Sequence, residues 1–295
     1  MKIITKNFIL QSRDEDILQA LGKYRFLTTN HIQELFFQNN KSKTSFARRL
    51  QGLKENNYID FIPTFDKERR VKSVNCYFLT KKGFDFLSER FDYNGYFFKK
   101  SNENGNLFLD HSLACIDFRM KCEKDISDNN KIFIEKWITQ FDIKNPEAPL
   151  KKDRLLLSYE FYDDISRKNL SLFPDDLFAI KFYNDPNKSV KYFIEIDNNT
   201  ESNTTRLREK FRKYDLLLKD YNYREFLSGS AVRILFTTTS QKKCINLIEM
   251  LKEDKLLQGL HKIIFFTDFQ QIENNNVFSD AIWFKSDGQI IPLIK

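Results

Sequence analysis

The stretch Ser171–Glu201 constrains the fold more than any other part of this chain. It holds two β-rich runs, Leu177–Tyr183 and Val190–Ile196, on either side of the polar turn Asn184–Asn187. Two such runs around a short turn predict a hairpin of adjacent antiparallel strands. Because both runs are strongly apolar, we expect the hairpin to lie inside a sheet rather than on the surface.

Acidic residues stand at the entrance and the exit of this predicted hairpin. Asp175 and Asp176 precede the first run, and Glu195 and Asp197 end the second. Side chains alternate along a strand, so Glu195 and Asp197 share one face. Adjacent antiparallel strands would bring Asp175 close to them. The pattern has two interpretations, an exposed acidic edge or a site for a divalent metal ion.

The length of the chain and its apolar content set the number of domains and the compartment. The 295 residues are 41% hydrophobic, which is enough for two domains of ordinary size. No run approaches the roughly 20 apolar residues that span a bilayer. The N-terminal segment lacks the apolar length and the small-residue cleavage site of a signal peptide. A cytoplasmic protein without a membrane partner is therefore expected.

Cysteine and histidine are too scattered for a zinc site. The four cysteines form no CxxC pair, and the three histidines are far apart in the sequence. We expect reduced, mostly buried thiols. The residues concerned are Cys76, Cys115, Cys122, Cys244, His31, His111 and His261.

The positive charge is concentrated at the start of the chain. Residues 1–100 contain 19 Lys and Arg against 11 Asp and Glu, a net charge of +8, whereas the whole chain is only +7. The remaining two thirds are thus nearly neutral. This asymmetry predicts an anion-binding module, most simply for nucleic acid, joined to a domain of another kind.

The order of elements in this basic region is that of a winged helix-turn-helix. Three helical patterns are followed by two short β-rich runs with a charged turn, and then by another helix. The helices cover Asp14–Lys23, Asn30–Phe37, Ser42–Glu55 and Lys81–Arg90, and the strands Tyr58–Ile62 and Val74–Thr80. Thr28 or Thr29 is the expected N-cap of the second helix.

In a winged helix the third helix enters the major groove of DNA and the wing follows the backbone. Most contacts of such a domain are with phosphates, and a few read base edges. The alternative is a solvated helix face on a domain used for protein contacts. The predicted DNA-binding residues are Lys43, Thr44, Ser45, Arg48 and Arg49 on the helix, and Lys67, Arg69, Arg70 and Lys72 on the wing.

Helices and strands alternate in the C-terminal part, which predicts a mixed sheet covered by helices. The helices are expected at Leu109–Lys124, Thr204–Lys219 and Lys242–Lys252, and the further strands at Ile132–Phe141, Ala231–Thr237 and Lys262–Thr267. Residues 142–170 are polar and contain two prolines, which predicts a long irregular loop. The expected domains are residues 1–92 and 107–295, with residues 93–106 as a linker.

The hairpin acids suit metal-dependent cleavage of a phosphodiester. Mg²⁺ or Mn²⁺ prefers carboxylate and water ligands, and such an ion can activate water and stabilise the departing oxygen. A nearby Lys or Arg can neutralise the phosphate. Asp175, Glu195 and Asp197 supply the carboxylates, and the helix Thr204–Lys219 has a strongly basic face.

These motifs carry a resemblance to known families. Pro174-Asp175, about twenty residues and then Glu195-x-Asp197, in the order αβββαβ, resemble the PD-(D/E)XK nuclease superfamily. Together with a helix that contains Asp110–Ala114 and with the later segment Arg208–Tyr214, these motifs are similar to those of the plasmid replication-relaxation family and of MobC-type relaxases. The resemblance covers roughly residues 12–270.

The resemblance implies an α/β (α+β) protein, a winged helix-turn-helix followed by a nuclease-like mixed sheet. It implies that Asp175, Glu195 and Asp197 are catalytic residues and ligands of Mg²⁺ (or Mn²⁺), with Lys210 as the catalytic lysine. The implied substrate is double-stranded plasmid origin DNA, which is nicked for transfer or replication. Relaxosome or replication proteins are the implied partners, and a homodimer is compatible with the sequence.

One residue departs from the superfamily pattern, because Asp197 stands where a lysine is usual. Either Lys210 or Lys213 from the following helix takes over, or the site is catalytically weak. In the second case the protein would be an origin-binding accessory or replication-initiation protein. A tyrosine nucleophile, for which Tyr214 is nearest to the motif, stays open beside attack by water. A histidine-cluster relaxase is disfavoured by the scattered histidines.

Overall fold

The computed structural model describes residues 8–37, 43–66, 71–95, 97–98, 105–127, 129–198, 204–220 and 230–294. The chain divides into two compact units, residues 1–113 and 114–295. The division falls within one helix, Gly105–Ser127, so it lies downstream of the predicted linker at residues 93–106.

Helices and a small sheet form the first unit. Its helices are α1 (Ser12–Tyr24), α2 (Thr29–Phe36), α3 (Lys43–Glu55) and α4 (Lys81–Phe91), followed by the start of α5 (Gly105–Ser127). Its strands are β1 (Leu27–Thr28), β2 (Ile59–Asp66) and β3 (Val71–Leu79), in the sheet order β1-β3-β2. The predicted elements of this region are therefore present, with β1 in addition.

Apolar residues at helical spacing build the core of this unit. Leu50 and Leu53 of α3 are buried, as are Ile17 and Leu21 of α1. The backbone N–H of His31 donates to the hydroxyl of Thr28 at 3.2 Å, which makes Thr28 the N-cap of α2.

The second unit is a mixed sheet with helices on both faces. Its helices are the end of α5, α6 (Lys151–Arg154), α7 (Thr204–Lys219), α8 (Gln241–Glu253) and α9 (Phe269–Asn274), with a 3-10 helix at Lys255–Leu260. Its strands are β4 (Ile132–Thr139), β5 (Tyr159–Asp163), β6 (Lys168–Leu172), β7 (Asp176–Phe182), β8 (Asp185–Ile196), β9 (Ser230–Thr238), β10 (Ile264–Asp268), β11 (Trp283–Phe284) and β12 (Ile290–Ile291).

The large sheet has the strand order β12-β11-β10-β9-β8-β7-β4. β7 and β8 form the predicted antiparallel hairpin, and β8, β9 and β10 run parallel to one another. The carboxyl ends of three strands therefore meet at one edge. In open α/β sheets that edge is where ligands bind.

Apolar side chains cover both faces of this sheet. Phe193 and Phe236 point to the face that α7 and α8 cover, where Phe211 and Leu247 pack against them. The opposite face carries residues such as Phe178 and packs against α5. Because side chains alternate along β8, Glu195 and Asp197 lie on the same face as Phe193.

The expectation of an irregular loop at residues 142–170 was wrong. This segment contains α6 and the antiparallel hairpin β5–β6. Tyr159 and Phe161 alternate with exposed residues and pack into the core on the α7 side, Tyr159 with its ring 5.9 Å from that of Phe193. Five-residue strands between polar and proline-rich segments give too short a pattern to recognise.

Two further boundaries differ from the sequence-based expectation. β8 begins at Asp185, inside the predicted turn, because Asp185 pairs with Phe182 across the hairpin. The sheet also extends beyond β10 to β11 and β12. Each of these strands has only two residues, which is too short for an alternating pattern to predict it from the sequence. Among the described helices, none is long and apolar enough to cross a membrane.

Candidate active site

Asp175 lies immediately before β7, and its carboxylate is held against the end of β8. The backbone N–H of Ile196 donates to Oδ2 of Asp175 at 2.8 Å. The backbone N–H of Asp175 donates to the carbonyl of Ile194 at 3.2 Å. Asp175 is only 8% exposed. The first acid of the hairpin is therefore buried and fixed relative to the second strand.

Glu195 and Asp197 lie at the end of β8, on the face covered by α7 and α8. Both are almost fully buried, Glu195 with 1% and Asp197 with 4% exposure. The backbone N–H of Asp197 donates to the carbonyl of Thr237 at 2.8 Å, which ties this position to β9. The structure thus brings all three predicted acids to one end of the hairpin.

Lys210 reaches this cluster from α7. Its ammonium forms an ion pair with Oε2 of Glu195. Tyr214, one turn later on the same helix face, donates its hydroxyl to Oε1 of Glu195 at 2.5 Å. Lys213 is partly exposed on α7. Within the part of the chain that the structure describes, Lys210 rather than Lys213 contacts an acid of the site.

Tyr214 supports Glu195 through this hydrogen bond. Its ring is fully buried and lies edge-on to Phe193, with 5.6 Å between centroids. Burial raises the pKa of the Tyr214 hydroxyl well above its ordinary value, and the nearby Glu195 raises this pKa further. The hydroxyl therefore stays protonated as a donor to Glu195, which is unfavourable for a nucleophile.

A second lysine at the site, Lys243, was missed by the sequence reasoning. It lies in the first turn of α8, and its Nζ is 2.5 Å from Oδ2 of Asp197. The hydroxyl of Thr238 donates to the same oxygen at 3.5 Å. Lys243 comes 46 residues after Asp197 in the chain. It reaches the site because parallel pairing of β8 and β9 puts the start of the helix after β9 at the same edge.

Burial changes the acid–base properties of Glu195. Removal from water raises its pKa to about 7, although the Lys210 ammonium acts in the opposite direction. Glu195 therefore changes its protonation near neutral pH. Perturbed carboxyl groups of this kind cluster at functional sites, although structural ion pairs also produce them.

The donor set of the site fits a hard cation. All three acids offer carboxylate oxygens, and Oδ1 of Asp197 is buried without a hydrogen-bond partner. Within the described residues, however, the three do not each place one oxygen within 4.8 Å of the other two. The arrangement therefore suits an ion held by one or two of these carboxylates and completed by water or phosphate, as is usual for Mg²⁺.

Cys115 of α5 is a further neighbour of Asp175. Its sulfur lies within 4.8 Å of a carboxylate oxygen of Asp175. Burial raises the pKa of this thiol well above its ordinary value, and the charge of Asp175 adds to the effect. Cys115 is therefore a neutral thiol that borders the acids. His111 precedes it in α5, in the part of the helix that belongs to the first unit.

Comparison with known proteins shows the family of the chain. The family model described as replication-relaxation matches residues 18–230, which is more than half of the sequence. The chain belongs to the replication-relaxation family. The matched segment contains Asp175, Glu195, Asp197 and Lys210, and it ends before Lys243. No curated protein and no solved structure was found to match.

Membership of the replication-relaxation family suggests a role in the replication or transfer of a plasmid or mobile element. The part of the resemblance that concerns this family is thereby confirmed. MobC-type relaxases and a PD-(D/E)XK nuclease remain predictions for this family member.

Asp176 faces away from the other acids. It shares the opposite face of β7 with Phe178, and its Oδ2 accepts a hydrogen bond from the indole N–H of Trp137 at 2.8 Å. Burial raises the pKa of Asp176 to about 8, against the effects of Trp137 and Arg119. Asp176 is therefore a buried, protonated partner of Trp137 at neutral pH rather than a member of the acid cluster.

Asp176→Asn is expected to stabilise the protein progressively as the pH rises. The pKa of Asp176 increases from 3.8 to about 8 on folding, so the native state holds a proton that the unfolded chain loses. Stability is then lost between about pH 4 and pH 8. An amide can still accept from Trp137 but cannot ionise. Thermal midpoints of both proteins at pH 5 and pH 8 test this, and a difference independent of pH would contradict it.

The predicted DNA-binding residues of α3 and of the wing differ from one another in exposure and in contacts. Ser45 and Arg48 are exposed. Arg49 forms an ion pair with the fully buried Asp14 of α1, so its guanidinium is engaged within the unit. Lys67, Arg69 and Arg70 lie outside the described residues. The side chains of Lys43, Thr44 and Lys72 are also outside them, although these three residues belong to α3 and β3.

Proposed function

We propose that the protein is a metal-dependent, relaxase-like endonuclease that nicks plasmid or mobile-element origin DNA. The observation that carries the proposal is the cluster of three buried acids at the carboxyl end of β8, faced by Lys210 and Lys243. Buried ion pairs contribute little net stability, because desolvation offsets their attraction. Such a concentration of charge at the ligand-binding edge of a sheet is better explained by function than by folding.

The topology of the second unit supports the nuclease part. α5, β4, β7, β8, α7 and β9 follow one another in the αβββαβ order, with the β5–β6 hairpin inserted, and β8 pairs with β9 in parallel. The acids lie on the central hairpin of this series. We propose that this unit is a PD-(D/E)XK-like domain in which the usual lysine position is Asp197.

The first unit supports the DNA-binding part. Its order α1-β1-α2-α3-β2-β3, with β1 at the edge of the sheet, suits a winged helix. In this proposal α3 enters the major groove, with Ser45 and Arg48 exposed towards DNA, and the β2–β3 ribbon forms the wing. Partner proteins of the replication or transfer complex would act on the nicked strand.

Each residue of the site has a separate role in the proposed reaction. One or two of the carboxylates of Asp175, Glu195 and Asp197 would hold a Mg²⁺ or Mn²⁺ ion directly, and such an ion would supply an activated water and stabilise the departing oxygen. Tyr214 fixes the orientation of Glu195 through its hydrogen bond. Lys210 keeps a positive charge beside Glu195, where it can neutralise a phosphate that approaches the acids. Burial excludes bulk water and so strengthens each of these interactions.

Conversion of supercoiled to open-circular DNA tests the proposal. The substrate is a supercoiled plasmid that carries a candidate origin region, incubated with the full chain and Mg²⁺. We expect open circles with Mg²⁺ and none with EDTA or with a matched plasmid that lacks the origin. Absence of open circles at every divalent-ion concentration would contradict the nuclease proposal.

A second candidate function is origin binding without cleavage. The observation in its favour is Asp197, an acid at the position where the nuclease superfamily usually has a lysine. A binding protein should retain its affinity for origin DNA in the Glu195→Gln variant and lose it in Arg48→Ala. Arg49→Ala is a poor probe, because it would leave the buried Asp14 without its ion pair and so disturb folding.

A further inference from the structure

The two acids on the site face of β8 each meet a lysine from a different helix. Lys210 of α7 pairs with Glu195, and Lys243 of α8 pairs with Asp197. Lys243 lies outside the segment that the family model matches. The family match therefore does not extend to its contact with Asp197.

The contact with Lys243 involves only one of the two carboxylate oxygens of Asp197. The ammonium is at Oδ2, whereas Oδ1 is buried and has no hydrogen-bond partner. The Lys243 side chain is 21% exposed and that of Asp197 is 4% exposed, so the pair is largely removed from water. A buried carboxylate oxygen without a partner is costly, and a bound cation is one way to satisfy it.

The charges of the site limit how many cations it can hold. When ionised, Asp175, Glu195 and Asp197 contribute three negative charges, and Lys210 and Lys243 contribute two positive ones. One divalent cation changes the total from −1 to +1, whereas a second would raise it to +3. Excess charge of one sign is strongly unfavourable in a site of low polarity.

We propose that the Lys243 ammonium stands in for a second divalent cation beside Asp197, so that the site binds one divalent cation. The inference rests on the metal site of the proposed function. Without Lys243 the three carboxylates would face Lys210 alone, so one divalent cation would change the total charge from −2 to 0. A second cation would then approach a neutral site with an open place beside Asp197, whereas in the wild type it would approach a site of charge +1. Lys243 thus determines the number of ions at the site.

Counting bound Mn²⁺ by electron paramagnetic resonance tests the inference without any nuclease assay. The wild-type chain should bind one Mn²⁺ and the Lys243→Met variant two. Lys243→Arg keeps the charge and should bind one. Lys242→Met is the matched control, because the neighbouring Lys242 is exposed on the same helix, and it should also bind one.

The double variant Asp197→Asn with Lys243→Met removes one charge of each sign. Its total charge returns to −1, so we expect one bound Mn²⁺ again. Lys243→Gln is the second single variant, for use if the methionine variant does not fold by circular dichroism. If neither Lys243 variant folds, the number of Mn²⁺ ions that the wild-type chain binds decides between a one-ion and a two-ion site.

Two bound ions in the wild type, or a folded Lys243 variant that still binds one, would overturn the inference while leaving the proposed metal site intact. A wild type that binds no Mn²⁺ would overturn the proposed metal site together with this inference. The three results are therefore distinguishable from the wild-type and variant counts.

Discussion

Asp175→Asn is expected to lower Mg²⁺-dependent nicking at least about 100-fold without weakening the binding of origin DNA. Loss of an outer-shell partner at a metal site costs roughly 10- to 100-fold, and loss of a ligand should cost at least as much. The amide oxygen of asparagine can still accept the hydrogen bond from the backbone N–H of Ile196, so the end of β8 should keep its position. Nicking rates and electrophoretic mobility shifts on the same DNA measure the two properties.

The matched control for this experiment is Asp185→Asn. Asp185 is an exposed acid on the same hairpin, at the opposite end of β8. It should nick at the wild-type rate. If Asp175→Asn is as active as Asp185→Asn, the acid cluster is not the catalytic site, and origin binding becomes the better explanation of the protein.

Lys210→Met is expected to reduce nicking about 100-fold and to move its pH dependence upwards. The lysine supplies the positive charge nearest to Glu195, and removal of an electrostatic partner of the reacting group typically costs 10²- to 10³-fold in rate. Because the ammonium holds down a pKa that burial raises to about 7, its loss should raise that pKa further. A pH–rate profile between pH 5.5 and pH 9 would show an acidic limb displaced to higher pH.

Lys213→Met is the internal comparison, because Lys213 is on the same helix and the change in charge is the same. It should leave both the rate and the pH profile near those of the wild type, and Lys210→Arg should recover part of the activity. The reverse result, a large loss in Lys213→Met only, would assign the catalytic lysine to Lys213. Equal and small effects in both variants would favour a protein that binds and does not cut.

Local patterns in the sequence were sufficient to predict the β7–β8 hairpin and the acids at its ends. The alternation along Val190–Ile196 predicts which side chains share a face, and the helix after it carries Lys210 within one turn of Tyr214. Both are short-range properties, so they can be read from neighbouring residues. The order of the longer elements in each unit was predicted for the same reason, whereas the short strands β1, β5, β6, β11 and β12 were missed.

Contacts between distant segments could not be read in this way. The ion pair of Arg49 with Asp14 joins residues 35 positions apart, so Arg49 looked like any other exposed base on α3. The position of Lys243 at the site depends on the parallel pairing of β8 and β9, and no sequence motif indicates that pairing. Burial of Asp176 against Trp137 likewise requires knowledge of which strand lies next to β7.

The position of β9 determines where the second unit can be divided. A fragment that ended with the family-matched segment at residue 230 would lose β9 and every strand beyond it. β8 would then become an edge strand, with unpaired backbone groups along its length and Glu195 and Asp197 facing solvent. Such a fragment is expected to aggregate rather than fold, so the last 65 residues are as necessary to the acids as the hairpin that bears them.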